Sequence, residues 1–320
     1  MTDLPVNSVA QKGNGDDAVV AVAIPCYNEA VTIANVVRAF RETLPGASVH
    51  VFDNNSTDDS AKLAREAGAE IHYVYEQGKG NVIQVILETL VADALIIIDG
   101  DDTYLAEDAP MLLEPILQGK ADMVVGNRLQ EASDESLHWI RRLGNTLILG
   151  GINRMFGAKC KDILSGYRIF NRRFVESVPL LTPGFEIETE IAARAMAQNM
   201  RIVELPISYR SRPAGSESKL RAFHDGSRIM ITGLSLLVSL FPMRAFGFAS
   251  IFSLLGALVV GLVMWLGSAE AGSALLAGLF CTFIALALLA LGAGALLSAI
   301  NLRFRELEHV RRRMNEREAV

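Results

Sequence analysis

A parallel, doubly wound α/β sheet followed by a membrane-embedded tail is the fold the sequence predicts, and three observations predict it. From Ala18 onward, short apolar runs alternate with helical patterns, as βαβ units require. One run, Leu95-Ile96-Ile97-Ile98, passes directly into Asp99-Gly100-Asp101-Asp102-Thr103-Tyr104, so a strand buried on both faces ends in three carboxylates. From Phe246 to Ile300 the only charged side chain is Glu270.

Residues 1–17 are polar and read as a disordered leader, with no apolar stretch for a signal peptide. Ala18 to Ile24 is the first strand; it ends in Pro25-Cys26-Tyr27-Asn28-Glu29, and a helix follows to about Thr43. Val49 to Phe52 is the second strand, ending at Asp53-Asn54-Asn55-Ser56-Thr57-Asp58-Asp59. Ser56 and Asp59 have the spacing of a capping box for the next helix. Ile71 to Tyr75 is the third strand, and Gln77-Gly78-Lys79-Gly80-Asn81 leads into a helix over Val82 to Val91. The Leu95–Ile98 strand comes fourth, a helix covers Ala106 to Gln118, and Met123 to Val125 is a fifth strand followed by Gly126-Asn127-Arg128.

Every polar cluster in this half falls just after a strand, on the edge of the sheet where open α/β folds bind ligands. Carboxylates as close as those of Asp99, Asp101 and Asp102 repel unless a cation joins them. A hard divalent ion with oxygen ligands, Mg²⁺ or Mn²⁺, suits the cluster and would in turn hold phosphates. Taken singly, the acidic run could be a solvated turn, Asn28 and Ser56 plain caps, and the glycines around Lys79 only a turn. Their shared edge favours a site.

The middle of the chain is less regular. Trp139 to Phe156 reads as a helix, Asp162-Ile163-Leu164-Ser165-Gly166-Tyr167-Arg168 as a loop with a polar face, Phe185 to Gln198 as a helix and Ile202 to Leu205 as the last strand. Glu186 and Glu190 share a helix face, which is mildly unfavourable unless a cation lies nearby. A basic loop, Tyr209-Arg210-Ser211-Arg212-Pro213-Ala214-Gly215-Ser216-Glu217-Ser218-Lys219, precedes an apolar helix over Ile229 to Phe241 that suits the membrane interface.

Phe246 to Leu266 would span about 31 Å as a helix, a bilayer core's thickness. A polar turn through Glu270 separates it from a second apolar run, Ala274 to Ile300. Six arginines follow, and Arg221, Arg228 and Arg244 precede the first run, whereas the turn has none, so both ends are expected in the cytoplasm. Three scattered cysteines show no disulfide or metal spacing, and a net charge of −6 makes no case for nucleic acid. The expected organisation is a leader at 1–17, an α/β domain at 18–225, an interfacial helix at 226–244, a transmembrane hairpin at 245–302 and a basic tail at 303–320.

The order Ile24-Pro25-Cys26-Tyr27-Asn28-Glu29, Asp53, Gly78-Lys79-Gly80, Asp99-Gly100-Asp101, Gly126-Asn127-Arg128, Ser165-Gly166-Tyr167-Arg168 and Arg212 through Lys219 resembles that of family 2 glycosyltransferases of the GT-A fold. It is most similar to the polyprenyl-phosphate glycosyltransferases, the group of dolichyl-phosphate mannose synthase, over residues 19–225. The resemblance implies inverting transfer of one sugar from a UDP- or GDP-sugar to a polyprenyl phosphate at the cytoplasmic face of the plasma membrane. It implies that Pro25, Tyr27 and Glu29 line the nucleoside pocket, Asp53 meets the base, Lys79 lies on the base and ribose side, and Asp99 contacts the nucleotide-sugar. Asp101 would hold the metal, with Thr103 standing where mannose synthases carry a glutamine ligand. Arg128, Ser165, Arg168, Arg212, Ser218 and Lys219 would hold phosphate, with Asp99, Asp101, Arg128 and Asp162 forming the catalytic set. Asn54-Asn55 replaces a frequent Asp-Gly, which leaves the base open. A non-lipid acceptor, a nucleotide-sugar-binding protein without turnover, and the oligomeric state also stay open.

Overall fold

The computed structural model describes residues 18–128, 162–215, 231–233, 235–236, 238–240, 255 and 271–318. In chain order the elements are β1 (Val20–Cys26), α1 (Ile33–Thr43), β2 (Ser48–Asp53), α2 (Ser60–Glu66), β3 (Glu70–Tyr73), α3 (Lys79–Thr89) and β4 (Ala94–Ile97). A 3₁₀ turn (Ala106–Asp108) then leads into α4 (Ala109–Leu117) and β5 (Met123–Asn127). After the undescribed stretch come β6 (Arg168–Asn171), α5 (Arg172–Ser177), α6 (Ile187–Ala197) and β7 (Ile202–Pro206).

The strands form one seven-stranded sheet in the order β3-β2-β1-β4-β6-β5-β7. All pairs are parallel except those of β6, which runs antiparallel to β4 and β5. The sheet is thus mixed and mostly parallel. Alternation along each strand separates two cores. Val22, Ile24, Ile96 and Ile98 pack with Val36, Val37 and Phe40 of α1 and Leu112, Leu113 and Ile116 of α4. Ala21, Ala23, Leu95 and Ile97 pack on the other face with Val82, Ile83 and Ile86 of α3 and Ile187 and Ile191 of α6. Each fully buried Leu or Ile contributes about 1.5–3 kcal/mol, so a one-residue slip that swapped the faces would be expensive and the register is fixed.

Two readings change. The Ser56–Asp59 capping box does not form: the Ser56 hydroxyl accepts from the Asn28 N–H at 2.9 Å, and the Ser60 N–H at the start of α2 donates to Asp58 Oδ1 at 3.0 Å. The Asp162–Arg168 loop runs into a strand, β6, because Arg168 already pairs with Ile97 and Val125. One helix runs from Ala271 to Glu318.

The chain divides into two compact units, one of Met1–Gly233 with Arg313–Val320 and the other of Leu234–Arg312. In the second unit, Ile284–Phe304 is 21 residues of mean hydropathy 2.1, the one helix among the described residues long and apolar enough to cross a membrane. Only 13% of its apolar window is buried, unlike a soluble core helix. The expected first span, Phe246 to Leu266, and the Trp139–Phe156 helix lie outside the described residues, so the hairpin reduces here to one candidate span. The described residues between 231 and 240 are helical.

Candidate active site

The loops that leave β1, β2 and β4 meet at the carboxyl edge. Asn28, at φ 53°, accepts from the Thr57 N–H at 2.8 Å, and the Glu29 N–H donates to Ser60 Oγ at 2.8 Å, which binds the first loop to the second. The Thr32 hydroxyl donates to the Gly100 carbonyl at 2.7 Å, which binds the first loop to the acidic one. Asn54 is a clamp. Its Nδ2 donates to the carbonyls of Val74 and Glu76 at 3.0 and 2.7 Å, and its Oδ1 accepts from the Gly78 N–H at 2.8 Å. Both Nδ2 hydrogens of Asn54 are therefore committed to the main chain. Gly78 sits at φ 136°, a conformation costly for any side chain, and opens α3 so that Lys79 stands at its first position.

Lys79 Nζ lies 2.6 Å from Asp99 Oδ1 and 2.6 Å from Glu188 Oε1. Burial works against its charge, but the two carboxylates outweigh that and hold its pKa well above the ordinary range. Asp101 accepts from the Thr103 hydroxyl at 2.6 Å and the Thr103 N–H at 3.2 Å through Oδ1, while Oδ2 meets Arg212 Nη2 at 2.5 Å. Burial first, and the Asp99 charge second, raise the Asp101 pKa. Arg212 also reaches Glu29 Oε1 at 3.6 Å. Two cations thus rest on the carboxylates: Lys79 on Asp99, and Arg212 between Asp101 and Glu29.

The remaining predicted residues take distinct places. Asp53 is buried; its Oδ2 accepts from the Ser56 N–H at 3.2 Å while Oδ1 is buried without a hydrogen-bond partner. Pro25 is half-buried and Tyr27 stands exposed above β1. Arg128 forms a two-pronged pair with buried Asp162 at 2.8 and 2.9 Å and lies over the Tyr209 ring. Burial opposes its charge too, but Tyr104 and Asp162 raise its pKa. Arg168 is buried, with its guanidinium on the carbonyls of Ser165 and Ile163, and Ser165 Oγ accepts from the Tyr167 N–H at 3.3 Å. Asp102 turns away at φ 60° to pair with Arg210. Ser218 and Lys219 lie outside the described residues.

Sequence reasoning missed three contributors. Glu188 is the second partner of Lys79, whereas Glu190 is used structurally, on Arg194 at 2.6 Å and the Thr182 N–H at 2.8 Å. Gly166 packs so tightly on Asp99 that a Cβ there would lie 2.2 Å from Oδ2. Tyr104 accepts from the Gly166 N–H at 2.8 Å through its hydroxyl and so helps hold that approach. The acidic first turn of α6 was the signal for Glu188.

The fit of a divalent cation follows from these contacts. Asp99 and Asp101 are close enough to raise one pKa, and each already holds a cationic group. An Mg²⁺ or Mn²⁺ ion asks for the same oxygen donors, so the residues present suit one.

A GT-A-like mixed sheet with an acidic turn at its carboxyl edge suits a nucleotide diphosphate and its metal, and comparisons with known proteins give the family. Residues 21–178 match the family described as Glycosyl transferase family 2. The glycosyltransferase AglJ of Haloferax volcanii is 35% identical over 213 residues, 66% of this chain and 70% of that protein. A dolichyl-phosphate hexose transferase of the same organism is 28% identical, over 65% of this chain and 90% of that protein. In fold, the chain is similar to glucosyl-3-phosphoglycerate synthase of Mycobacterium tuberculosis in complex with Mn²⁺, UDP-glucose and phosphoglyceric acid. The TM-score is 0.57 at 21% identity, over 68% of this chain and 79% of that one. The chain belongs to glycosyltransferase family 2.

Proposed function

We propose that this enzyme transfers a single sugar, with inversion, from a UDP- or GDP-sugar to a polyprenyl phosphate at the cytoplasmic face of the membrane. The observation that carries this reading is the pairing of Asp99 with Lys79 and of Asp101 with Arg212 at the carboxyl edge. A nucleotide diphosphate needs such an edge, and the paired cations mark where its anions would exchange for carboxylates. The relative named a dolichyl-phosphate hexose transferase and the exposed apolar helix Ile284–Phe304 support the lipid acceptor.

The chemistry needs little proton transfer. A polyprenyl phosphate is already anionic near neutral pH, so it must be positioned more than deprotonated. One of its oxygens bonds to the anomeric carbon as the bond from that carbon to the diphosphate oxygen breaks. Asp101 and Thr103, beside Asp99, would hold Mg²⁺ or Mn²⁺, which when bound supplies positive charge for the departing diphosphate. Asp53 and Glu29, with Pro25 and Tyr27 around them, would hold the nucleoside, the unpartnered Asp53 Oδ1 accepting from the base. Arg128, oriented by Asp162, and Arg212 would carry the acceptor phosphate, with Ser218 and Lys219 next in the chain. Buried Ser165 and Arg168 would shape that side. The domain limits read from the sequence, a two-span anchor and cytoplasmic termini belong to the same proposal.

Nucleotide release tests it. With a panel of UDP- and GDP-sugars, one donor should release its nucleotide many times faster when undecaprenyl phosphate is added. Release that ignores the lipid for every donor, but responds to a water-soluble acceptor, would replace the lipid with that acceptor.

A further inference from the structure

We propose that His50, Glu70 and His72 form a zinc site, separate from the sugar-transfer site, that clasps edge strand β3 to β2. Strand alternation makes the cluster. His50 shares the α3 face of β2 with Phe52, and Glu70 lies directly across from it in the parallel register. His72, two residues on, returns to the same face and stacks on the Phe52 ring at 4.5 Å.

The donor atoms have the separations a small ion needs. His50 Nδ1 lies 3.1 Å from His72 Nε2, and the Glu70 carboxylate faces both rings, with Oε2 3.6 Å from His50 Nδ1 and Oε1 3.6 Å from His72 Nε2. Two ligands on a tetrahedral Zn²⁺, at bond lengths of about 2.0–2.1 Å, are about 3.3 Å apart. Two imidazoles and a carboxylate are zinc ligands, and three of them leave a fourth position for water. His50 also has the outer partner that metal-bound histidines use: Ser48 Oγ lies 2.9 Å from its Nε2, so Nδ1 is the ring nitrogen turned to His72, Glu70 and the ion. Burial lowers the pKa of His50 to about 4 and that of His72 below its ordinary value, so both rings are neutral near pH 7. A cleft of about 410 Å³ with Ser48, His50 and Glu70 in its walls gives the ion a way in.

The clasp matters because β3 is the outermost strand and only four residues long. It runs into Val74 and Glu76, whose carbonyls the Asn54 clamp holds just before Lys79. Fixing β3 would therefore steady the segment that positions Lys79.

The test uses the full-length protein, stripped with a chelator and titrated with Zn²⁺ alone or Co²⁺ alone. Wild type should take up Zn²⁺ here, and Co²⁺ should give the intense visible absorption of a four-coordinate site. Glu70→Gln, a near-isosteric change at a half-exposed side chain that leaves the fold intact, should weaken uptake about tenfold, and His72→Ala on the order of a hundredfold. Asp101→Asn should leave the four-coordinate Co²⁺ absorption unchanged, which separates this ion from one in the transfer site. Zn²⁺ should also raise the melting temperature of wild type and not that of His72→Ala. Equal uptake by wild type and Glu70→Gln, or none by wild type, overturns the site and leaves two imidazoles sharing a hydrogen bond.

Discussion

On the β1–β2 side of the catalytic edge, polar side chains answer the backbone. Asn28, Asn54 and Ser56 bind main-chain groups of the neighbouring loop, and one buried atom, Asp53 Oδ1, is left without a partner. On the β5–β7 side, side chains answer side chains: Arg128 meets Asp162, Arg210 meets Asp102, and Arg212 meets Asp101 and Glu29. Backbone bonds set a shape that a ligand enters without rearrangement. Ion pairs between side chains can be exchanged, anion for anion and cation for cation. The difference teaches which residues build the edge and which bind there, and substitutions on the two sides should separate stability from turnover.

The largest effect should come from Asp101→Asn, which keeps the fold but cuts turnover on the order of a thousandfold; chelation should do the same to wild type. A chelated enzyme at full rate would end the metal role. Next comes Lys79→Met, which leaves Asp99 and Glu188 without their shared cation. A chemical-denaturation curve should show a loss of about 3 kcal/mol, because breaking one side of a buried pair strands the other. Asn54→Asp should cost about 2 kcal/mol, since it aims a carboxylate at two carbonyls that now receive N–H groups. Arg212→Ala reverses the balance: stability should fall by no more than about 1 kcal/mol at this part-exposed pair, while transfer drops about tenfold or more. That drop should be as large with a short, water-soluble polyprenyl phosphate as with a membrane-borne one. Near-normal turnover of the soluble acceptor would make Arg212 an ordinary cation near a membrane. Smallest of all, a chain ending near Arg244 should bind nucleotide as wild type does, by calorimetry, because every donor-side contact precedes that residue.

The parallel half was legible because each strand is an apolar run that stops at a polar landmark. Leu95–Ile98 into Asp99 shows both the strand and its functional end. β6 was not: Arg-Ile-Phe-Asn opens on a charged residue and follows a polar loop, and the bonds of Arg168 to nearby carbonyls help make that burial tolerable. Glu188 could be suspected and not assigned, because its partner Lys79 is 109 residues away in sequence. Asn54 stood out as a departure from the family pattern, yet its partners are carbonyls that no side-chain motif announces. His50 and His72 became neighbours only through the β2–β3 register.

The most direct measurement follows a labelled sugar from the preferred nucleotide-sugar into undecaprenyl phosphate, with the label separated between organic and aqueous phases. The account predicts label in the organic phase as one sugar per lipid, with the anomeric configuration opposite to the donor's, and none once the metal is chelated. Label that stays in water as free sugar or on a soluble acceptor, with the lipid unmodified, would contradict it.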